Sequence, residues 1–135
     1  MALNLPLLYI VNSKTILIID EKVFYRISSA ILESMGYVAE LFTDVENLSS
    51  KLCNSEIGLI ITSYPYGVLM FDEIKKWDIA TIVLTDNLDG KLFQLLGELE
   101  KSFCMIKPLD YDKFKSVVQE IMSEKNVFQG GYNIV

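Results

Sequence analysis

Histidine is missing from all 135 residues. Its absence removes the usual general base near neutral pH, the commonest metal ligand, and any histidine phosphodonor or Ser-His-Asp site. Cysteine is nearly as scarce. Cys53 and Cys104 stand apart with no Cys-x-x-Cys pair, so two reduced, mostly buried thiols of a cytoplasmic protein are expected. Clustered basic charge is missing too. With 12 Lys and Arg against 18 Asp and Glu the net charge is −6, and no basic stripe is present to hold a nucleic-acid backbone. Residues 1–11 are apolar but too few to span a bilayer, and no basic segment precedes them as in a signal peptide. Neither nucleic acid nor a membrane is expected as a partner.

What the chain does have is apolar bulk. Hydrophobic residues make up 51% of it, enough for one domain with a substantial core. No internal repeat, linker or low-complexity run divides it. The strongest signal is Thr15-Ile16-Leu17-Ile18-Ile19-Asp20-Glu21, an aliphatic run that stops on two carboxylates. Such a run reads as a central strand covered on both faces. Acids at its end face the crevice beyond the carboxyl edge of an open α/β sheet, where such folds place their sites. Asn12-Ser13-Lys14 turns the chain into this strand. Residues 1–13 read either as an apolar arm lying on the domain or as an extra edge strand, pairing with another copy.

Downstream, strand-like and helical stretches alternate. Val23, Ile27, Ala30 and Ile31 make a helical stripe expected to face the core, with Tyr25 and Leu32 on the opposite side and Gly36 as the stop. Residues 37–42 follow as a strand, and a capping box, Thr43-x-x-Glu46, opens a short helix through Val45, Leu48 and Leu52. Residues 57–62 are a third strand, ending in the turn-rich Ser63-Tyr64-Pro65-Tyr66-Gly67. Met70, Phe71, Ile74 and Trp77 mark a third helix, and residues 79–84 a fourth strand. Leu88, Leu92, Leu95, Leu96 and Leu99 share one face of the fourth helix, with Phe93 off it. Residues 103–106 form a fifth strand. Asp110 then caps a last helix through Phe114, Val117, Val118, Ile121 and Met122. Residues 126–135, with Gly130-Gly131, read as a tail. The alternation predicts an α/β, three-layer α-β-α sandwich over residues 14–125: a five-stranded parallel sheet in the flavodoxin-like order 2-1-3-4-5, with helices on both faces.

In a parallel sheet the polar strand ends emerge at one edge. Asp20 and Glu21, Ser63, Thr85 and Lys107 should therefore converge on one cleft. With Ile18-Ile19-Asp20-Glu21, Thr85 and Lys107-Pro108 so spaced, the chain resembles the receiver domain of bacterial response regulators in two-component phosphorelay signalling. The resemblance implies an acid pair at Asp20 and Glu21, a hydroxyl switch at Thr85, and a cis bond at Lys107-Pro108. One position departs. The family's third strand ends in the aspartate that accepts the phosphoryl group, and here Thr62 leads into Ser63. The family's Asp-x-x-Met-Pro loop is also absent.

Three carboxylates in a receiver hold Mg²⁺ against the transferring phosphoryl group. A serine is a protonated alcohol that needs a base, and this chain has no histidine to supply one. The expectation is thus a pseudo-receiver: a phosphorylation-independent module that docks on other proteins, with no enzymatic activity and no cofactor. At most, weak Mg²⁺ binding at Asp20 and Glu21 is foreseen. Lys107 is expected to pair with one of those acids. A receiver's switch aromatic would stand at Cys104, so the relay looks incomplete. Partner-docking candidates are Tyr25 and Leu32 on the first helix, where the family's kinases dock, and Phe93 with Cys104 on the family's output and dimer face. The partner would be a histidine kinase, a downstream signalling protein or a second copy in a homodimer. Two alternatives stand beside this reading. One is a receiver still phosphorylated at a degenerate Mg²⁺-dependent site. The other is a flavodoxin-like small-molecule binder, although Asp20-Glu21-Lys22 stands where a Gly-rich phosphate loop would.

Overall fold

A computed structural model describes residues 14–54, 56–99, 101–123 and 132–135. The apolar arm expected at residues 1–13 lies outside them. The strands are β1 (Thr15–Ile19), β2 (Val38–Leu41), β3 (Ile57–Tyr64), β4 (Thr81–Thr85), β5 (Ser102–Ile106) and β6 (Tyr132–Ile134). The α-helices are α1 (Lys22–Ser34), α2 (Leu48–Asn54), α3 (Phe71–Ile74), α4 (Gly90–Glu98) and α5 (Tyr111–Met122). All five strand pairings are parallel, and the sheet runs 2-1-3-4-5-6. The expected order is present, extended by one strand.

Alternation along β1 explains why its aliphatic run is continuous. Ile16 and Ile18 join one core with Leu59, Ile61, Leu32 of α1 and Phe114, Val117, Val118 and Ile121 of α5. Leu17 and Ile19 point the other way, into a second core with Leu48 of α2, Phe71 and Ile74 of α3, and Leu92 and Leu96 of α4. Successive strand side chains face opposite layers, and both layers are apolar. Local signals act as expected at two helix ends. Gly36 takes φ +93° beyond α1, a conformation that favours glycine. Asp110 Oδ1 accepts the backbone N–H groups of Asp112 at 3.0 Å and Lys113 at 3.2 Å. The capping box at Thr43 does not form. The chain there enters a 3-10 turn over Val45–Asn47 behind Asp44, without a side-chain cap, and Val45 is exposed.

Two further expectations are corrected. The stripe assigned to the core of α1 faces outward: Val23 is 66% and Ile27 46% exposed, while Leu32 is 0% exposed. The inward face is Tyr25, Ser28, Ser29 and Leu32, which share the i, i+3, i+4, i+7 spacing of one helix side. Two serines can be buried there because each hydroxyl is satisfied within the helix. Ser28 Oγ donates to the Phe24 carbonyl at 2.7 Å, and Ser29 Oγ to that of Arg26 at 3.3 Å. Leu32 is therefore a core residue and not a docking position, and half-buried Tyr25 packs on the same core.

The second correction concerns the tail. Its end forms β6, which pairs with β5 in the register Ser102↔Tyr132, Phe103↔Asn133 and Cys104↔Ile134. The Val135 N–H donates to the Cys104 carbonyl at 2.9 Å. No helix among the described residues is long and apolar enough to cross a membrane.

The orientation of α1 is testable by urea unfolding. Leu32→Ala should cost about 2–5 kcal/mol, as for other buried leucines. Val23→Ala and Ile27→Ala should each stay within about 0.5 kcal/mol of the parent chain. The reverse ranking would restore the stripe first expected.

Candidate functional site

Register brings the polar strand ends together. Ile19 pairs with Thr62, so the next residues along, Asp20 and Ser63, lie side by side. Ser63 pairs with Leu84 and Tyr64 with Thr85, and Thr85 pairs with Ile106, the residue before Lys107. Asp20, Ser63 and Thr85 are buried, Lys107 is half-buried and Glu21 is exposed.

Asp20 has the least comfortable position. It is only 3% exposed. Its Oδ1 accepts the Glu21 N–H at 2.8 Å, while Oδ2 is buried with no hydrogen-bond partner. Burial raises its pKa above the usual carboxylate value. This outweighs the Glu21 N–H, the nearby Ser63 hydroxyl and the Lys107 ammonium, all of which favour the charged form. Lys107 acts on it only through space. Among the described residues no ion pair joins Lys107 to Asp20 or Glu21, so the expected direct bridge is not made.

Most neighbouring hydroxyls are committed to the protein's own backbone. Thr85 Oγ1 donates to the Asn87 carbonyl at 2.7 Å and accepts the Asn87 N–H at 3.3 Å. Thr62 Oγ1 donates to the Ile19 carbonyl at 2.9 Å, tying β3 to β1 just below the acid. The loop after β3 then closes over that tie. The Gly67 N–H donates to the Ser63 carbonyl at 2.7 Å. A Cβ at Gly67 would fall 2.0 Å from Thr62 Oγ1, so no larger residue fits that approach. Lys107-Pro108 is cis, as the resemblance implies, and so is Tyr64-Pro65.

Tyr64, Gly67 and Asp89 also belong to this edge, although the sequence marks the first two only as part of a turn and does not assign any of the three to the site. Tyr64 Oη donates to Asp89 Oδ2 at 3.4 Å, and Asp89 Oδ1 caps α4 by accepting the Leu92 N–H at 2.8 Å. Partial burial and the Asp89 carboxylate keep the Tyr64 phenol protonated beyond its usual range. The one available signal was Asp89 itself, an acid just before the first residue of a helix.

The remaining candidates divide. Cys104 is fully buried between β4 and β6, and burial pushes its thiol pKa up, so with β6 in place it is not open to a partner as the sequence suggested. Cys53, expected to be buried, is exposed. Phe93 is half-buried, with the Tyr132 ring 6.2 Å away and tilted by 40°. Sequence alone placed Phe93 on an open face; in the structure β6 covers part of it.

A Mg²⁺ site of the receiver kind does not fit these residues. The ion takes hard oxygen ligands and draws on carboxylates. Here one carboxylate oxygen is sealed in, Ser63 offers an alcohol, and the described residues contain no group of three or more His, Cys, Asp or Glu side chains that could hold a metal.

Neither a family model nor a curated protein matches the sequence. The fold does have close counterparts among solved structures. A two-component response regulator from Clostridium difficile superposes with a TM-score of 0.72 at 21% identity, covering 84% of this chain and 99% of that one. A response regulator receiver protein from Pseudomonas putida gives 0.67 at 22% identity, over 80% of this chain and 97% of that one. A CheY-like receiver domain protein from Methanospirillum hungatei gives 0.68 at 20% identity, over 83% and 95%. The chain has the receiver fold.

Asp20→Asn should stabilise the protein. The folded pKa of Asp20 lies above the unfolded one, so the folded chain binds the extra proton at low pH and loses stability as pH rises through that window. The advantage of Asp20→Asn over the parent should grow from acidic to neutral pH and then level off. Urea midpoints across that range check it, and a flat difference would mean that Asp20 ionises without penalty.

Proposed function

We propose that this chain is a receiver-like signalling module that works by binding another protein and does not take up a phosphoryl group. The observation that carries the reading is Ser63, a buried alcohol beside Asp20 at the end of β3, where the family places its phosphoacceptor aspartate. Two features support it. The Asp20 Oδ2 is closed to solvent, and the Thr85 hydroxyl is held in its own turn with Asn87. A site so arranged offers an alcohol that bonds to the Asp20 carboxylate, a weak base for a hydroxyl, and a poor donor set for a divalent ion.

The binding face we assign is the outer side of α1. Val23, Ile27 and Ala30 project there, with Lys22 and Arg26 exposed along one flank. Exposed apolar groups lined up on one side of a helix favour a partner that covers them. The solved counterparts are named as response regulators and a receiver protein. By that likeness the partner is a histidine kinase or a downstream signalling protein in the cytoplasm.

Two experiments test the two halves of the reading. Titration with millimolar Mg²⁺ and beryllofluoride, a phosphoryl analogue, should leave the amide spectrum of the protein unchanged, whereas Ser63→Asp should gain a metal response. A saturable response from the unmodified chain would reject the phosphorylation-independent reading. For docking, Val23→Ser/Ile27→Ser should lose the partner captured from native cells while unfolding like the parent. Retained capture would move the interface off α1.

A further inference from the structure

The last three paired residues of the chain close an edge. Without β6 the sheet would end on β5, where Ser102, Phe103, Cys104 and Met105 are all buried. That strand contains no charge, no proline and no glycine, so it has none of the devices that keep an open edge from pairing with another chain. The opposite edge is different. There β2 carries Glu40, held by Lys51 at 2.7 Å.

The cover on β5 is slight. Strand β6 has three residues, none of them fully buried, and Ile134 is 45% exposed. It is fastened by the short ladder, the Val135 N–H on the Cys104 carbonyl, the Tyr132 ring against Phe93, and the side chains of Val135 and Tyr132, each partly buried against one of the two cores. It is also imperfect. With β6 docked, Asn133 Nδ2 and Ser102 Oγ are buried without hydrogen-bond partners, and unpaired buried polar groups oppose docking.

We propose that β6 is a detachable strap over a self-pairing edge: once it lifts, β5 pairs with β5 of a second copy. The sequence of β5 suits this occupant. In an antiparallel, two-fold pair centred on Cys104, Phe103 of each copy lies across from Met105 of the other, and Ser102 from Ile106. Aromatic-to-thioether contacts are favourable, and no like charges meet. The docked strap therefore hides a dimer surface.

The test uses the full chain with the strap weakened. Tyr132→Ala/Val135→Pro removes the ring contact and the N–H that donates to Cys104. Sedimentation equilibrium should find its dimer dissociation constant at least about tenfold below that of the parent, with β5 amides protected from hydrogen exchange in the dimer. A synthetic peptide of residues 129–135 should return the variant to monomer by reoccupying the edge. Should the double variant fail to fold, Val135→Pro alone is read the same way. A folded variant that stays as monomeric as the parent overturns the proposal, and so does association that the peptide leaves intact.

Discussion

Much of this fold is arranged around a carboxylate it cannot hydrate. Asp20 is carried to the sheet edge by a strand buried on both faces, and one of its oxygens ends up with no partner. A lone buried charge of this kind is tolerated only when its surroundings lower the cost, or it takes up a proton instead. Here the Glu21 amide, the Ser63 hydroxyl and the more distant Lys107 ammonium each help, and together they fall short of burial. The serine matters in this balance. A second buried acid beside Asp20 would add repulsion, whereas an alcohol adds none. With Ser63 in that place, Asp20 has a hydroxyl beside it that lowers the cost of its charge and brings no second charge to the edge.

The parts of the structure legible in the sequence are those where burial on two sides leaves one pattern. The aliphatic runs of β1, β3 and β4, and the Phe114–Val118–Ile121 stripe of α5, could be placed because each must meet apolar layers whatever its neighbours do. Their parallel pairing then set Asp20, Ser63, Thr85 and Lys107 on one edge without further information. Helix α1 could not be read this way. It carries apolar residues on both sides, and the two serines on its inner face look polar until their hydroxyls are seen to bond within the helix. With Ser28 and Ser29 adding no apolar signal, the Val23, Ile27, Ala30 and Ile31 stripe was the stronger pattern, and it is the side that faces out.

Strand β6 escaped for a different reason. Three residues have no periodicity to recognise, and their position is decided by what β5 lacks, namely charge or proline at a sheet edge. The same holds for Gly67. Its need for a missing side chain comes from Thr62 Oγ1, which reaches across to β1 from the adjacent strand β3. Such contacts are settled in three dimensions and leave no mark in the local sequence. Lys107 is the converse case. Its place at the edge was legible, but the length of its side chain does not oblige it to close an ion pair, and in this structure it does not.

The two surfaces inferred here lie at different ends of the sheet. Helix α1 packs beside β2, while the strap covers β5 at the far side. With strands spaced about 4.8 Å apart, the two sheet edges lie roughly 24 Å from one another. A partner seated on Val23 and Ile27 therefore leaves β6 free to lift, and self-pairing through β5 leaves α1 uncovered. Coupling between them would have to pass through the sheet, and the residues at its polar edge are the natural place to look. Thr62 ties β3 to β1, and the Lys107 N–H donates to the Thr85 carbonyl at 2.8 Å, tying the end of β5 to β4. An edge tied together by its own backbone in this way is the structural link through which one proposed surface would act on the other.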